Sequence, residues 1–168
     1  MNLVKKINTI KFHLLKIKNL YSLVIITIIF FLDRYSKIKI LNNLSENNVL
    51  INDFVSLNLI WNTGIGFGLL NFNTSFLYNL VTILVGLTII VLFYITILSE
   101  KIDRYIFSII IGGALGNFYD RLIYNAVPDF IDLHYENYHW FIFNLADIFI
   151  TLGIIIFLMK DLVTKKSK

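Results

Sequence analysis

Uncharged runs and polar breaks alternate along this chain in blocks long enough for helices rather than strands. Leu20 to Leu32 is an unbroken uncharged run rich in Ile and Phe. Alone it is too short, because a helix needs about twenty apolar residues to cross a hydrocarbon core. The helix therefore continues through Asp33, Arg34 and Lys37 toward Leu41, and those side chains must snorkel to the far interface or face the protein interior. Phe76 to Leu98 is a second span without a charge, and Ser99 to Arg104 reads as a short polar loop. Tyr105 opens a third span whose polar end carries Asp120 and Arg121, and Leu145 to Val163 forms a fourth, closed by Lys165, Lys166 and Lys168. The predicted spans are thus about 20–41, 76–98, 105–124 and 145–163.

Between the spans the period changes. From Asn42 to Asn73, Asn-rich turns frame Val49–Ile51 and Phe54–Trp61, where β-branched and aromatic residues predict short strands. Asn125 to Trp140 is a second extramembrane segment, polar and aromatic. The pattern describes an all-α membrane protein of four transmembrane helices with a small outer sheet, forming a single domain over residues 1–168. The basic leader Met1–Asn19 ahead of Leu20 looks superficially like a signal peptide. No small-residue cleavage site follows it, so the first span is read as retained.

Composition strengthens the membrane reading, since 57% of the residues are hydrophobic, 15% are charged and the mean hydropathy is +0.74. The net charge of +4 comes from lysines clustered at the termini beside apolar runs, which points to anionic lipid headgroups and not to nucleic acid. The absence of cysteine excludes disulfides, thiolate metal sites and a cysteine nucleophile on this chain. Basic residues also set the orientation. They precede the first span, lie between the second and third, and follow the fourth, whereas Asn42–Ser75 and Asn125–Phe143 contain no Lys or Arg. The positive-inside rule then predicts cytoplasmic termini and two outward-facing loops.

A carboxylate in or beside an apolar span is expensive to keep and so marks a functional candidate; Asp120, Asp129 and Asp147 stand out. Asp129 and Asp147 bracket the second outer loop, whose two ends can meet. Two carboxylates in a poorly hydrated site cannot both ionise cheaply, and the resulting acid and base suit aspartic-protease chemistry. Interface carboxylates that merely end helices fit the same spacing. Asn144 shares a helical face with Asp147 and either bonds to it or caps the helix. Asn117 and Asp120 repeat that spacing, Arg121 is placed to reach back to Asn117, and Asp120 with Arg121 reads as a polar clasp at the membrane boundary. Gly112 and Gly116 form a Gly-xxx-Gly pair suited to close helix packing. Asp132 reads as a solvated loop residue.

Other chemistries fit poorly. His134 and His139 are five apart, not the four of the zinc-protease helix, and read as interfacial loop histidines. There is no Gly-x-Ser-x-Gly elbow, and the neighbours Ser36 and Lys37 point in different directions. Asn62-Thr-Gly-Ile-Gly-Phe-Gly lacks the spacing and βαβ context of a dinucleotide loop, so its glycines shape a turn.

Five blocks in this order closely resemble the lipoprotein signal peptidase (type II signal peptidase) family: Leu32–Lys37, Asn62–Phe67, Gly112–Arg121, Val127–Ile131 and Phe143–Asp147. The resemblance implies an aspartyl endopeptidase of the bacterial inner membrane, active without metal or cofactor. It would remove the signal peptide from prolipoproteins on the amino side of a diacylglyceryl cysteine. It implies a monomeric four-helix bundle with an extracytoplasmic β-cradle and the active site at the extracytoplasmic face. By block position Asp129 and Asp147 become the catalytic pair. Asn62, Gly64, Asn117, Asp120, Arg121 and Asn144 become substrate-binding or supporting residues, and Asp33 and Lys37 structural ones. Pro128 and Gly66 depart from the usual residues of their blocks. The rival readings are a proton- or ion-coupled carrier with Asp33, Asp120, Asp129 and Asp147 as a relay, and a scaffold whose carboxylates only cap helices.

Overall fold

Four long helices and a four-stranded antiparallel sheet account for the described residues, 17–43, 48–64, 75–136 and 138–166, of the computed structural model. Helix α1 (Ile17–Asn43) runs unbroken past Asp33, Arg34 and Lys37, as the length of the apolar run requires. Its charges turn inward: Asp33 and Lys37 are fully buried and Arg34 nearly so.

Helix α2 spans Ser75–Leu98, α3 Lys101–Tyr124 and α4 Leu145–Lys166. The polar stretch expected to be a loop from Ser99 to Arg104 is shorter than that, because Lys101 is already helical. Its polar residues build the helix start. Glu100 is the extended N-cap, and Asp103 places a negative charge in the first turn, where the helix dipole favours it. Arg104 folds back to donate from Nε to the Ser99 carbonyl at 3.0 Å. At the other end Asn125 adopts the left-handed conformation (φ 52°) that terminates α3.

Helix α3 is the centre, packed against the other three helices. Small residues make this possible. A Cβ on Gly112 would stand 2.8 Å from Ile29 Cβ on α1, and one on Gly113 would stand 2.6 Å from the Ala146 carbonyl on α4. The Gly112/Gly116 pair therefore has the close-packing role its spacing predicts. Phe76–Leu98 and Ile102–Tyr124 are long and apolar enough to cross a membrane. Exposed Leu23, Ile28 and Phe31 on α1, and Ile154, Leu158 and Leu162 on α4, extend the same apolar exterior. Apolar exposure on that scale belongs in lipid, not in water.

Strands β1 (Val49–Asn52), β2 (Val55–Asn62), β3 (Val127–Tyr135) and β4 (Tyr138–Phe143) pair in the order β1-β2-β3-β4. The first two lie where β-branched and aromatic residues predict them. Asn52 turns the hairpin by accepting at Oδ1 from the backbone N–H groups of Phe54 and Val55, both at 2.9 Å. The other two occupy the segment read only as polar and aromatic. In strand β3 Val127–Phe130 are all buried, and beyond them the buried positions are the polar Asp132 and His134 while Ile131 and Leu133 are only partly buried, so the strand lacks the apolar-in, polar-out sequence pattern that marks a half-buried strand. Three residues differ from their expected loop placement. His134 and His139 are strand residues paired across β3 and β4, and Asp132 is buried instead of solvated.

Candidate active site

The register between β2 and β3 sets Ile60 opposite Asp129, which brings Asn62 to a diagonal position beside that aspartate. Asn62 Nδ2 donates to Asp129 Oδ2 at 2.8 Å. From the other side Asn144, the residue before α4, donates from Nδ2 to Asp129 Oδ1 at 2.6 Å.

Asn144 also begins α4 through a reciprocal cap. Its side-chain oxygen accepts from the Asp147 N–H at 3.2 Å, and its own N–H donates to Asp147 Oδ2 at 3.1 Å. The two readings of Asn144, cap or carboxylate partner, are thus both true. One residue joins Asp129 to Asp147, and both carboxylates are buried. The remaining oxygen of Asp147, Oδ1, accepts from Asn117 Nδ2 of α3 at 2.8 Å.

Behind this pair stands an ionic cluster. Lys37 Nζ donates to Asn117 Oδ1 at 2.9 Å and contacts Asp33 Oδ2 at 2.8 Å and Asp120 Oδ2 at 2.7 Å. Arg34 binds the other oxygen of Asp120 and lies over the Tyr119 ring, 4.6 Å from its centroid. Asp33 Oδ1 accepts from the Ala146 N–H at 3.0 Å, which ties α1 to the first turn of α4. Arg121 reaches back to the Asn117 carbonyl at 3.2 Å, as its spacing predicts, and to the Gly64 carbonyl at 3.3 Å. Gly64 N–H donates to Asn62 Oδ1 at 2.8 Å, so Arg121 and Asn62 together hold the turn after β2. Gly66 and the rest of that turn lie outside the described residues.

All eight residues singled out as site candidates therefore belong to one connected network. Of the two places expected for Asp33, Arg34 and Lys37, the far interface or the protein interior, the structure shows the interior, with Asp33 and Lys37 supporting the site from α1. The signal was present in the Asp33–Lys37 spacing, one helical turn apart on a span that has to carry them inside.

The four carboxylates fall into two classes. Asp33 and Asp120 are neutralised by Lys37 and Arg34. Among the described residues Asp129 and Asp147 have no ion pair and accept only amide N–H bonds. Burial, reinforced by the charge of Asp147, pushes the Asp129 carboxyl from 3.8 up to about 6 against the opposing pull of the Asn62 and Asn144 amides. Such a group exchanges a proton near neutral pH, as acid–base work requires. A cavity of about 750 Å³ runs from Asn117, Arg121 and Asp147 between apolar side chains of α2, α3 and α4, including Val81, Leu92 and Ile154.

Fold and site together define a helical membrane protein whose small sheet closes over a buried, amide-bonded carboxylate pair. Residues 25–163 match the model of the family described as signal peptidase (SPase) II, and the chain belongs to that family. It is 46% identical over 158 residues to the lipoprotein signal peptidase of Pelagibacter ubique (strain HTCC1062), covering 92% of this chain and 95% of that one. The lipoprotein signal peptidase of Anaplasma phagocytophilum (strain HZ) is 37% identical over 86% of this chain and 94% of its own. A solved bacterial membrane enzyme superposes with a TM-score of 0.69 at 30% identity, over 88% of this chain and 93% of that one.

Proposed function

We propose that this chain is an aspartic endopeptidase. It removes the signal peptide from prolipoproteins on the amino side of a diacylglyceryl cysteine, with Asp129 and Asp147 as the reacting groups. The observation that carries the assignment is the division of the carboxylates: Asp129 and Asp147 are buried, bridged by Asn144 and without an ion pair among the described residues, while Asp33 and Asp120 are neutralised. The pair shares one proton. The ionised carboxylate takes a proton from water, whose oxygen attacks the scissile carbonyl, and the protonated carboxyl gives its proton to the carbonyl oxygen. Collapse of the tetrahedral intermediate breaks the C–N bond. The proton taken from water goes to the departing amine, and a hydroxyl of the intermediate returns its proton to the other carboxylate, leaving a signal peptide with a free carboxyl terminus and a free amino group on the lipidated cysteine. The two carboxyl groups supply both acid and base, so this reaction calls for no cofactor.

In this reading the four helices are four spans of one monomeric domain in the bacterial inner membrane, with both termini cytoplasmic. The Lys- and Arg-free loops and the carboxylate pair face outward. The apolar cavity beside Asp147 then admits a substrate that is itself a membrane helix bearing a lipid. The carrier reading loses ground because Asp33, Asp120, Asp129 and Asp147 gather in one cluster, whereas a relay sets carboxylates at successive depths.

Purified protein incubated with a diacylglyceryl prolipoprotein tests the assignment. Asp129→Asn and Asp147→Asn should each lower cleavage by at least about 1,000-fold. Cleavage by either variant at the wild-type rate overturns it.

A further inference from the structure

A second group of chemistry-bearing side chains lies on the sheet, away from the carboxylate pair. Alternation along β3 puts Asp132 and His134 on one face and Asp129 on the other. In β4, His139 pairs with His134, and the two rings stack with centroids 5.4 Å apart. Each of Asp132, His134 and His139 offers a ligand atom, and the three atoms lie within 4.8 Å of one another.

An ordinary histidine–aspartate contact explains only half of this arrangement. His139 Nδ1 lies 2.8 Å from Asp132 Oδ2, and Ser56 Oγ donates to the same oxygen at 3.4 Å. Asp132 Oδ1 and His134 Nδ1 are buried and make no hydrogen bond among the described residues, although both residues are more than nine-tenths buried. Buried polar atoms are costly to leave so, and two in one cluster point to a shared partner.

We propose that Asp132, His134 and His139 bind one divalent transition-metal ion, with zinc the best match, and that the ion clips β3 to β4. Two imidazoles and one carboxylate form a nitrogen and oxygen donor set suited to zinc, whose fourth position a water can fill. The His139 side chain is 55% exposed, which gives the ion a way in from solvent. Donor atoms around zinc stand roughly 3.3 Å apart, so binding the ion draws the three donors in from the 4.8 Å within which they lie. The ion does not touch substrate. It fixes the hairpin whose first strand carries Asp129, three residues before Asp132.

The test uses the full chain in detergent, freed of any affinity tag and stripped of metal, titrated with Co²⁺ and followed by its visible d–d bands. Wild type should take up one Co²⁺ per chain at micromolar concentration, release it to Zn²⁺ and gain thermal stability with either ion. His134→Ala and His139→Ala should each weaken binding by at least about tenfold and lose the thermal gain. His139→Ala changes an exposed side chain, so the folded protein remains available for the measurement. His13→Ala, which alters the remaining histidine, should bind as wild type does. The proposal is overturned if wild type binds no Co²⁺ up to millimolar concentration, if His139→Ala binds undiminished, or if His13→Ala abolishes binding.

Discussion

The Lys37 ammonium donates to the side-chain oxygen of Asn117 at 2.9 Å, and this contact decides which way the Asn117 amide faces. With its oxygen engaged by the cation, the amide presents its N–H₂ group to Asp147, as the 2.8 Å bond requires. A residue of the first helix thus orients a hydrogen bond to a carboxylate on the last.

Replacing Lys37 by Met should unfold the protein readily. It removes the ammonium from between the buried carboxylates of Asp33 and Asp120 and leaves Asp33 without its counter-ion. Breaking a buried pair from one side costs about 3–5 kcal/mol. Thermal unfolding in detergent should show a large drop in midpoint, and a midpoint equal to wild type contradicts the cluster's structural importance.

Asn117→Ala isolates the orienting contact from the charge cluster. A hydrogen bond to a charged group contributes about 1.5–3 kcal/mol, so kcat should fall roughly 10- to 150-fold with KM little changed. An equal loss through KM alone would assign Asn117 to substrate binding instead.

The pH dependence follows from Asp129. Its carboxyl, at about 6, is raised by burial and by Asp147 and lowered by the amide donor of Asn62. Asn62→Ala removes a lowering influence, so the limb of the pH–rate profile with its midpoint near 6 should move upward. The direction is the same whether proton loss from the pair switches activity on or off. Because the native state holds this proton more tightly than the unfolded chain, the associated stability is complete below about 3.8 and lost as pH rises through about 6. A downward shift of the midpoint in Asn62→Ala contradicts the assignment.

Gly116→Ala should damage the site from a distance. The added methyl would stand 2.3 Å from Asp33 Oδ2, the oxygen that holds Lys37, and 2.9 Å from Asp33 Cγ. Overpacking of this kind costs about 1–3 kcal/mol, and here it also pushes the carboxylate away from Lys37 and the Ala146 N–H. Lower thermal stability together with reduced turnover is expected, and wild-type values in both would show that α1 and α3 separate freely.

The helices were legible because apolar length is a direct physical demand. It carried α1 through Asp33 and Lys37, and it required those charges to find somewhere tolerable to go. Asp129, Asp147 and Asn144 were legible because a costly carboxylate at a span boundary asks for a reason. Strands β3 and β4 were not, since the buried positions of β3 include the polar Asp129, Asp132 and His134, β4 is exposed along most of its length, and Pro128, Asp132 and the histidines looked like loop chemistry. Asp132 was misjudged for the same cause: its burial depends on the register with Ser56 of β2, a contact between segments seventy-six residues apart. The inward turn of Lys37 was half legible. Sequence offered snorkelling or the interior, and only packing against α3 decides between them.

The bond from Asp33 to the Ala146 N–H joins the first helix to the beginning of the last. During synthesis Asp33 emerges long before Ala146, Asn144 and Asp147, so the carboxylate pair cannot be assembled until the final helix has docked against the earlier ones. A nascent chain therefore carries an incomplete site through most of its production, and competence arrives in one late step. A chain ending before α4 retains Asp129 but lacks both the second carboxylate and the backbone donor that closes the cluster.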